Sequence, residues 1–271
     1  MERRRPEIIF STLTGIVMLI FMTASLTDRE LFRFHYSLFG FSFGLGVTSM
    51  ELLIPLAAVI TDLGMYHALR ISLPVPREQI ILHLFLPFAV TLTIGFTLRD
   101  IGGGLTGWGL LFLTGALLYL VLRFEYTACD PGSIRRPVSI IILDGLCYAV
   151  FLLFCIALRA IISSHPVITM GAIFVLCMAV SLKIYSFHVI NGNIPVLASV
   201  TGAVILFAEA GLHFWPVNIV SYGSLMFIWY YTFTSLVIGM DRDEPLGSIF
   251  KRVLPAAVPA LGVMLYAMFL M

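Results

Sequence analysis

Glu209 and His213 lie four residues apart inside Pro195–Pro216, PVLASVTGAVILFAEAGLHFWP, a run long enough to cross a bilayer. Residues four apart share a helix face, so the carboxyl and the imidazole point the same way. A neighbouring carboxylate favours the protonated ring while burial disfavours both charges, so such a pair is suited to sharing one proton. An ionisable group in hydrocarbon costs roughly 2.5–3.5 kcal/mol on insertion scales, so it calls for a partner or a purpose. The plainer role, a hydrogen-bonded fastening between helices, carries equal weight.

The other ionisable residues in apolar surroundings sort by depth into two layers. Toward the outer face stand Glu51, Arg99, Arg159, Glu209 and His213, with Asp28, Arg29, Glu30, Arg33 and His35 just above them. Glu51 sits roughly 6 Å and Glu209 roughly 8 Å from the nearer end of its own span, so the two carboxylates can meet at one depth, with Arg99 or Arg159 beside them. Toward the inner face stand Asp62, His83, Asp144 and Lys183. Asp144 and Lys183 are placed for an ion pair, although a lysine near a span end more commonly snorkels to the headgroups. Asp144 is too short to do the same, so Asp144 and Glu209 are the residues most in need of explanation.

No set of nucleophile, base and metal ligands converges. The chain holds no HExxH, GxSxG or Walker loop, so neither catalytic residues nor a metal site can be assigned and no cofactor can be named. The run MDRDEP offers Asp241, Asp243 and Glu244 to a divalent cation, but two or three carboxylates on one loop read better as a solvated charge run. Gly102, Gly103 and Gly104 open a membrane helix, and Gly103 with Gly107 forms a small-xxx-small pair suited to close helix packing. Pro55, Pro87, Pro255 and Pro259 free backbone carbonyls inside apolar runs. No internal repeat of the kind transporters carry is visible.

The elements that must position these groups are set by composition. Of 271 residues 60% are hydrophobic and 11% charged, and the mean hydropathy is +1.02, which is a membrane composition with nothing left over for a soluble catalytic domain. A net charge of +1 leaves no basic patch for nucleic acid. Cys147, Cys155 and Cys177 lie in apolar runs and Cys129 in an expected loop, with no CxxC, so the redox compartment is not readable.

Apolar runs of spanning length occur at Ile8–Leu26, Val47–Tyr66, Ile80–Leu98, Leu105–Leu122, Val138–Leu158, Pro166–Leu182, Pro195–Phe214, Val217–Gly239 and Val253–Met271. Nine spans put the termini on opposite sides. With the N-terminus inside, twelve of the 16 basic residues fall on inner segments and four on outer ones, the bias of the positive-inside rule. The expected fold is therefore all-α: one integral membrane domain over residues 1–271, a polytopic transmembrane bundle of about nine spans with the N-terminus in and the C-terminus out. Its expected location is the cytoplasmic membrane of a bacterium or archaeon.

Residues 27–46 interrupt this plan. Their aromatics Phe32, Phe34, Tyr36, Phe39, Phe41 and Phe43 fall mostly at every second position, which predicts an extended stretch and a glycine-rich turn, interfacial or re-entrant, over the outer helix ends. Its job is that of a lid, a docking surface or an aromatic anchor.

The run GLHFWPVNIVSYG, Gly211–Gly223, followed by a charged loop and a last apolar helix, resembles an uncharacterised family of bacterial polytopic membrane proteins over the last quarter of the chain. That resemblance implies no activity. Three functions follow in order of weight: a non-enzymatic subunit or binding component contacting lipid, pigment or partner helices; a small-solute or ion-coupled transporter using the buried carboxylates; and an intramembrane lipid-modifying enzyme. The expected partners are the bilayer and other membrane proteins.

Overall fold

The computed structural model describes residues 6–26, 30–38, 41–73, 76–101, 105–161, 166–215 and 217–269. The elements run α1 (Pro6–Leu26), β1 (Glu30–Leu38), β2 (Phe41–Thr48), α2 (Ser49–Ser72), α3 (Arg77–Ile101), α4 (Leu105–Cys129), α5 (Arg136–Ile161), α6 (Pro166–His188), α7 (Ile194–His213), α8 (Ile219–Asp241) and α9 (Leu246–Phe269). Among the described residues, eight helices are long and apolar enough to cross a membrane, and α3 carries a shorter apolar stretch, Ile80–Gly95. The chain is a polytopic helical membrane protein. Helices prevail because a segment without water must satisfy its own N–H and C=O groups.

Each expected span has its helix, and the differences lie at the ends. Hydropathy stops the fourth span at Leu122, yet α4 runs on to Cys129, and the sixth at Leu182, yet α6 runs on to His188. Arg123, Glu125, Lys183 and His188 lower the apolar average without interrupting the backbone hydrogen bonds. Cys129 is consequently not a loop residue: it ends α4 and is buried, as are Cys147, Cys155 and Cys177, all four as free thiols.

β1 and β2 pair antiparallel, with Glu30 facing Thr48, Leu38 facing Phe41 and an irregularity between Glu30 and Phe32. The extended backbone expected from the aromatic alternation is thus present beside the helical bundle. Asp28, Arg29 and Phe39 lie outside the described residues, as do the side chains of Arg33 and His35.

Two compact units divide the chain, Met1–Leu143 and Asp144–Met271. In the first, α1 packs on α2, α2 on α3, α3 on α4 and α4 back on α1. Phe10, Leu13, Val17, Phe21 and Ala24, buried at steps of three and four, form the inward stripe of α1. α2 and α3 run antiparallel: Ile54 meets Gly95 and Thr61 meets Thr91. A Cβ on Gly95 would come within 2.6 Å of Ile54, so the small residue permits the close approach that membrane packing rewards.

In the second unit α6 packs on α7, α7 on α8 and α8 on α9. Part of its core is hydroxyl to hydroxyl: Tyr148 with Thr234 at 2.9 Å, Ser181 with Tyr230 at 3.1 Å and Tyr185 with Thr201 at 2.7 Å. Phe151 stacks on Tyr230 at 4.1 Å.

The connections use the turn chemistry of the sequence. Asp130 of CDPGS accepts from the Gly132 N–H at 3.0 Å. Asn193 of NGN caps α7 and Asn218 caps α8. In MDRDEP, Asp241 accepts the N–H groups of Ile190 at 2.7 Å and Gly192 at 2.9 Å, clipping the α6–α7 connection to the end of α8. Glu244 pairs with Arg252 at 2.5 Å, and this hydrogen bond holds its carboxyl below the ordinary carboxylate range.

Candidate functional site

The site with the densest chemistry lies at the end of α7. The buried residues of that helix, Ala198, Thr201, Gly202, Ile205, Glu209, Leu212 and His213, form one stripe, so helical spacing turns both ionisable groups inward. Glu209 is fully enclosed and His213 is 8% exposed. The Nδ1 of His213 lies 3.2 Å from Oε1 of Glu209, and the hydroxyl of buried Tyr222 on α8 donates to Oε2. Both carboxylate oxygens are therefore engaged.

Arg159, in the last turn of α5, closes the group. Its Nη1 donates to the carbonyl of His213 at 3.1 Å and its Nη2 to that of Trp215 at 3.4 Å. The His213 carbonyl is an acceptor that the end of α7 leaves without an in-helix donor, and the Trp215 carbonyl also accepts the Val217 N–H at 2.8 Å. The guanidinium also lies 5.1 Å above the Tyr222 ring. Arg159, Tyr222, Glu209 and His213 thus link α5, α7 and α8. Chemically the arrangement can hold one proton between carboxyl and imidazole, with a phenol hydrogen-bonded to the same carboxyl.

Of the expected outer layer, Arg159, Glu209 and His213 come together. Glu51 belongs to the other unit, where it caps its own helix: β2 runs through Thr48, α2 begins at Ser49, and Glu51 is the N3 residue of a capping box. Its side chain accepts from the Thr48 N–H at 2.9 Å while its own N–H donates to the Thr48 hydroxyl at 3.3 Å. The side chain of Arg99 lies outside the described residues.

The expected inner residues divide between the two units, Asp62 and His83 in the first and Asp144 and Lys183 in the second. His83 on α3 meets Glu125 on α4 at 2.6 Å, with side chains 9% and 0% exposed. Asp62 on α2 is half-buried, with Oδ1 enclosed and without a hydrogen-bond partner among the described residues. Asp144 pairs with His188 rather than with Lys183, at 2.5 Å, and Arg242 reaches the other nitrogen of the same imidazole at 3.2 Å. Lys183 does not snorkel: it is fully buried, its ammonium 4.7 Å from the Phe187 ring centroid.

Sequence reasoning missed Glu125, His188, Tyr222 and Arg242. Glu125 was detectable: Leu118, Val121, Leu122, Glu125, Ala128 and Cys129 continue one stripe past the point where hydropathy falls. The signal for His188 is weaker, since only its place on the continued α6 betrays it.

A family model described as "Protein of unknown function (DUF5656)" matches residues 30–248, more than half of the chain. The chain belongs to the DUF5656 family. The match takes in Gly211–Gly223 and extends far beyond it, over β1, β2, α2 to α8 and the first residues of α9. Every residue of the Arg159–Glu209–His213–Tyr222 group, and each of the other two carboxylate–imidazole pairs, falls inside the DUF5656 match. No curated protein and no solved structure matches the chain.

Proposed function

We propose that this membrane protein is a non-enzymatic component of a membrane assembly and takes a partner helix along α9. The observation that carries the reading is the state of α9. Only 11% of its apolar window is buried, against 44% for α8, while Leu246, Phe250, Leu254, Val258, Leu261 and Leu265 stand exposed at steps of three and four. Pro255 and Pro259 are also exposed. Because Pro259 has no N–H, the carbonyl of Pro255 loses its in-helix donor, about 14 Å into the helix. Lipid tails cannot satisfy such a carbonyl, and a neighbouring helix can.

The test is native mass spectrometry of the protein gently extracted from its own membrane. A stoichiometric second subunit or second copy is expected, and Val258→Lys on the exposed face should release it. A lone chain in the unaltered protein sinks the reading.

A second reading, an ion-coupled transporter, is favoured by the three carboxylate–imidazole pairs, each able to hold a proton. On that reading Glu209→Gln abolishes uptake of the coupled solute while the protein stays folded. Unchanged proton-driven uptake by the Glu209→Gln protein would refute it.

A further inference from the structure

Within the second unit, two consecutive residues at the end of α8 hold the end of α6. Asp241 accepts the N–H groups of Ile190 and Gly192. Arg242, the C-cap of α8, donates to the His188 carbonyl from Nε at 3.3 Å and from Nη2 at 3.2 Å. The same Nη2 lies 3.2 Å from Nδ1 of the His188 ring, while Nε2 of that ring lies 2.5 Å from Oδ2 of Asp144 on α5.

Hydrogen-bond polarity fixes the state of this imidazole. A guanidinium has donors only, so Nδ1 meets Arg242 productively only as a bare acceptor. A neutral ring with a bare Nδ1 carries its proton on Nε2, where Asp144 accepts it as a carboxylate. A protonated Asp144 donating to Nε2 would instead put the ring proton on Nδ1, against the Arg242 N–H. One arrangement therefore satisfies all three side chains: carboxylate, neutral imidazole, guanidinium. A second ring proton must go to Nδ1, where it meets a donor and a positive charge. The contact to Asp144 survives, because Nε2–H still points at the carboxylate, and it becomes an ion pair. Histidine is the side-chain type whose charge ordinarily changes between about pH 5 and 8, and this side chain is 24% exposed, so protons reach it.

Among the described residues, Asp144 and Arg242 are the charged groups in contact with the ring. Asp241 faces the backbone just beyond it. Tyr148, one turn past Asp144 on α5, is bound to Thr234, and on α6 itself Tyr185 is bound to Thr201 and Lys183 lies against Phe187. α7 begins Ile-Pro-Val-Leu and brings no charge to its first turn.

We propose that His188 is a pH-sensitive clasp: neutral, it ties α5, α6 and α8 together, and protonated, it keeps α5 and releases α8. As pH falls, the repelled guanidinium gives up Nδ1 and the adjoining carbonyl, and Asp241 alone holds the α6–α7 connection to the end of α8. The clasp rests on neither a partner at α9 nor a transported ion.

Amide hydrogen exchange of the full chain in mild detergent, followed at Ile190 and Gly192 across that pH range and expressed as protection factors, tests this. Protection in the unaltered protein is expected to fall about tenfold on acidification, the worth of one hydrogen bond to a charged group. His188→Gln supplies a donor and an acceptor but no site for a second proton, so it should stay protected throughout while Asp144 and Asp241 remain. Arg242→Ala should show the lower protection at both ends of the range, and this arm decides the matter if His188→Gln misfolds or loses the contacts. A fall that persists in a folded His188→Gln protein belongs to the carboxylates and overturns the clasp. A fall that persists in Arg242→Ala, full protection of that variant at the alkaline end, or pH-independent protection in the unaltered protein overturns it too.

Discussion

His83 and Glu125 show what a buried ionisable residue costs and what it does. Their 2.6 Å contact joins α3 to α4 with both side chains withdrawn from the surroundings. Removing one partner leaves the other enclosed without this hydrogen bond, a loss of about 3–5 kcal/mol. We therefore expect His83→Leu and Glu125→Leu each to lower unfolding stability by that amount, and the double variant to lose less than the sum of the two, in a double-mutant cycle followed by denaturation in detergent. Additive losses would show that the two side chains act independently. The same logic covers Asp144 with His188, except that Arg242 there gives the imidazole a second neighbour and the pair is less enclosed.

At the scale of elements, the positions of groups along the helices depend on where those helices start. α7 and α8 are each begun by an asparagine whose side chain accepts a backbone N–H of the first turn, Asn193 from Val196 and Asn218 from Ser221. The second contact is the tighter, 2.6 Å, and it sets the first turn of the helix that brings Tyr222 to Glu209. Asn218→Ala is expected to cost about 1 kcal/mol and to speed amide hydrogen exchange at Ser221 and Tyr222 more than in the middle of α8. Uniform exchange along α8 in that variant would show that packing, not the cap, starts the helix. The antiparallel β1–β2 pair belongs to this scale as well. Its pairing uses backbone groups that would otherwise be open, which makes a non-helical stretch compatible with a membrane protein.

For the whole molecule, the orientation rests on the distribution of Arg and Lys. With twelve basic residues on one set of connections and four on the other, the N-terminus is expected in the cytoplasm and the C-terminus outside. A reporter that works only outside the cytoplasm, fused after Met271, should be active. A cytoplasmic reporter active at the same position would remove one span from the count, and α3, with the shortest apolar stretch, would be the first to reassign.

Membrane class, helix count and the shared face of Glu209 and His213 were legible in the sequence, because each depends on local quantities: apolar run length, spacing along one helix, and the cost of charge in hydrocarbon. Tertiary packing decided who meets whom. Asp144 found His188 instead of Lys183, and Glu125, beyond the expected end of its span, became half of a buried pair. Partners on different helices are chosen by helix rotation and contact, which hydropathy does not encode. Helix ends carrying charged residues escape an averaged scale for a related reason: the average registers the charge, while the neighbour that satisfies it lies elsewhere in the chain.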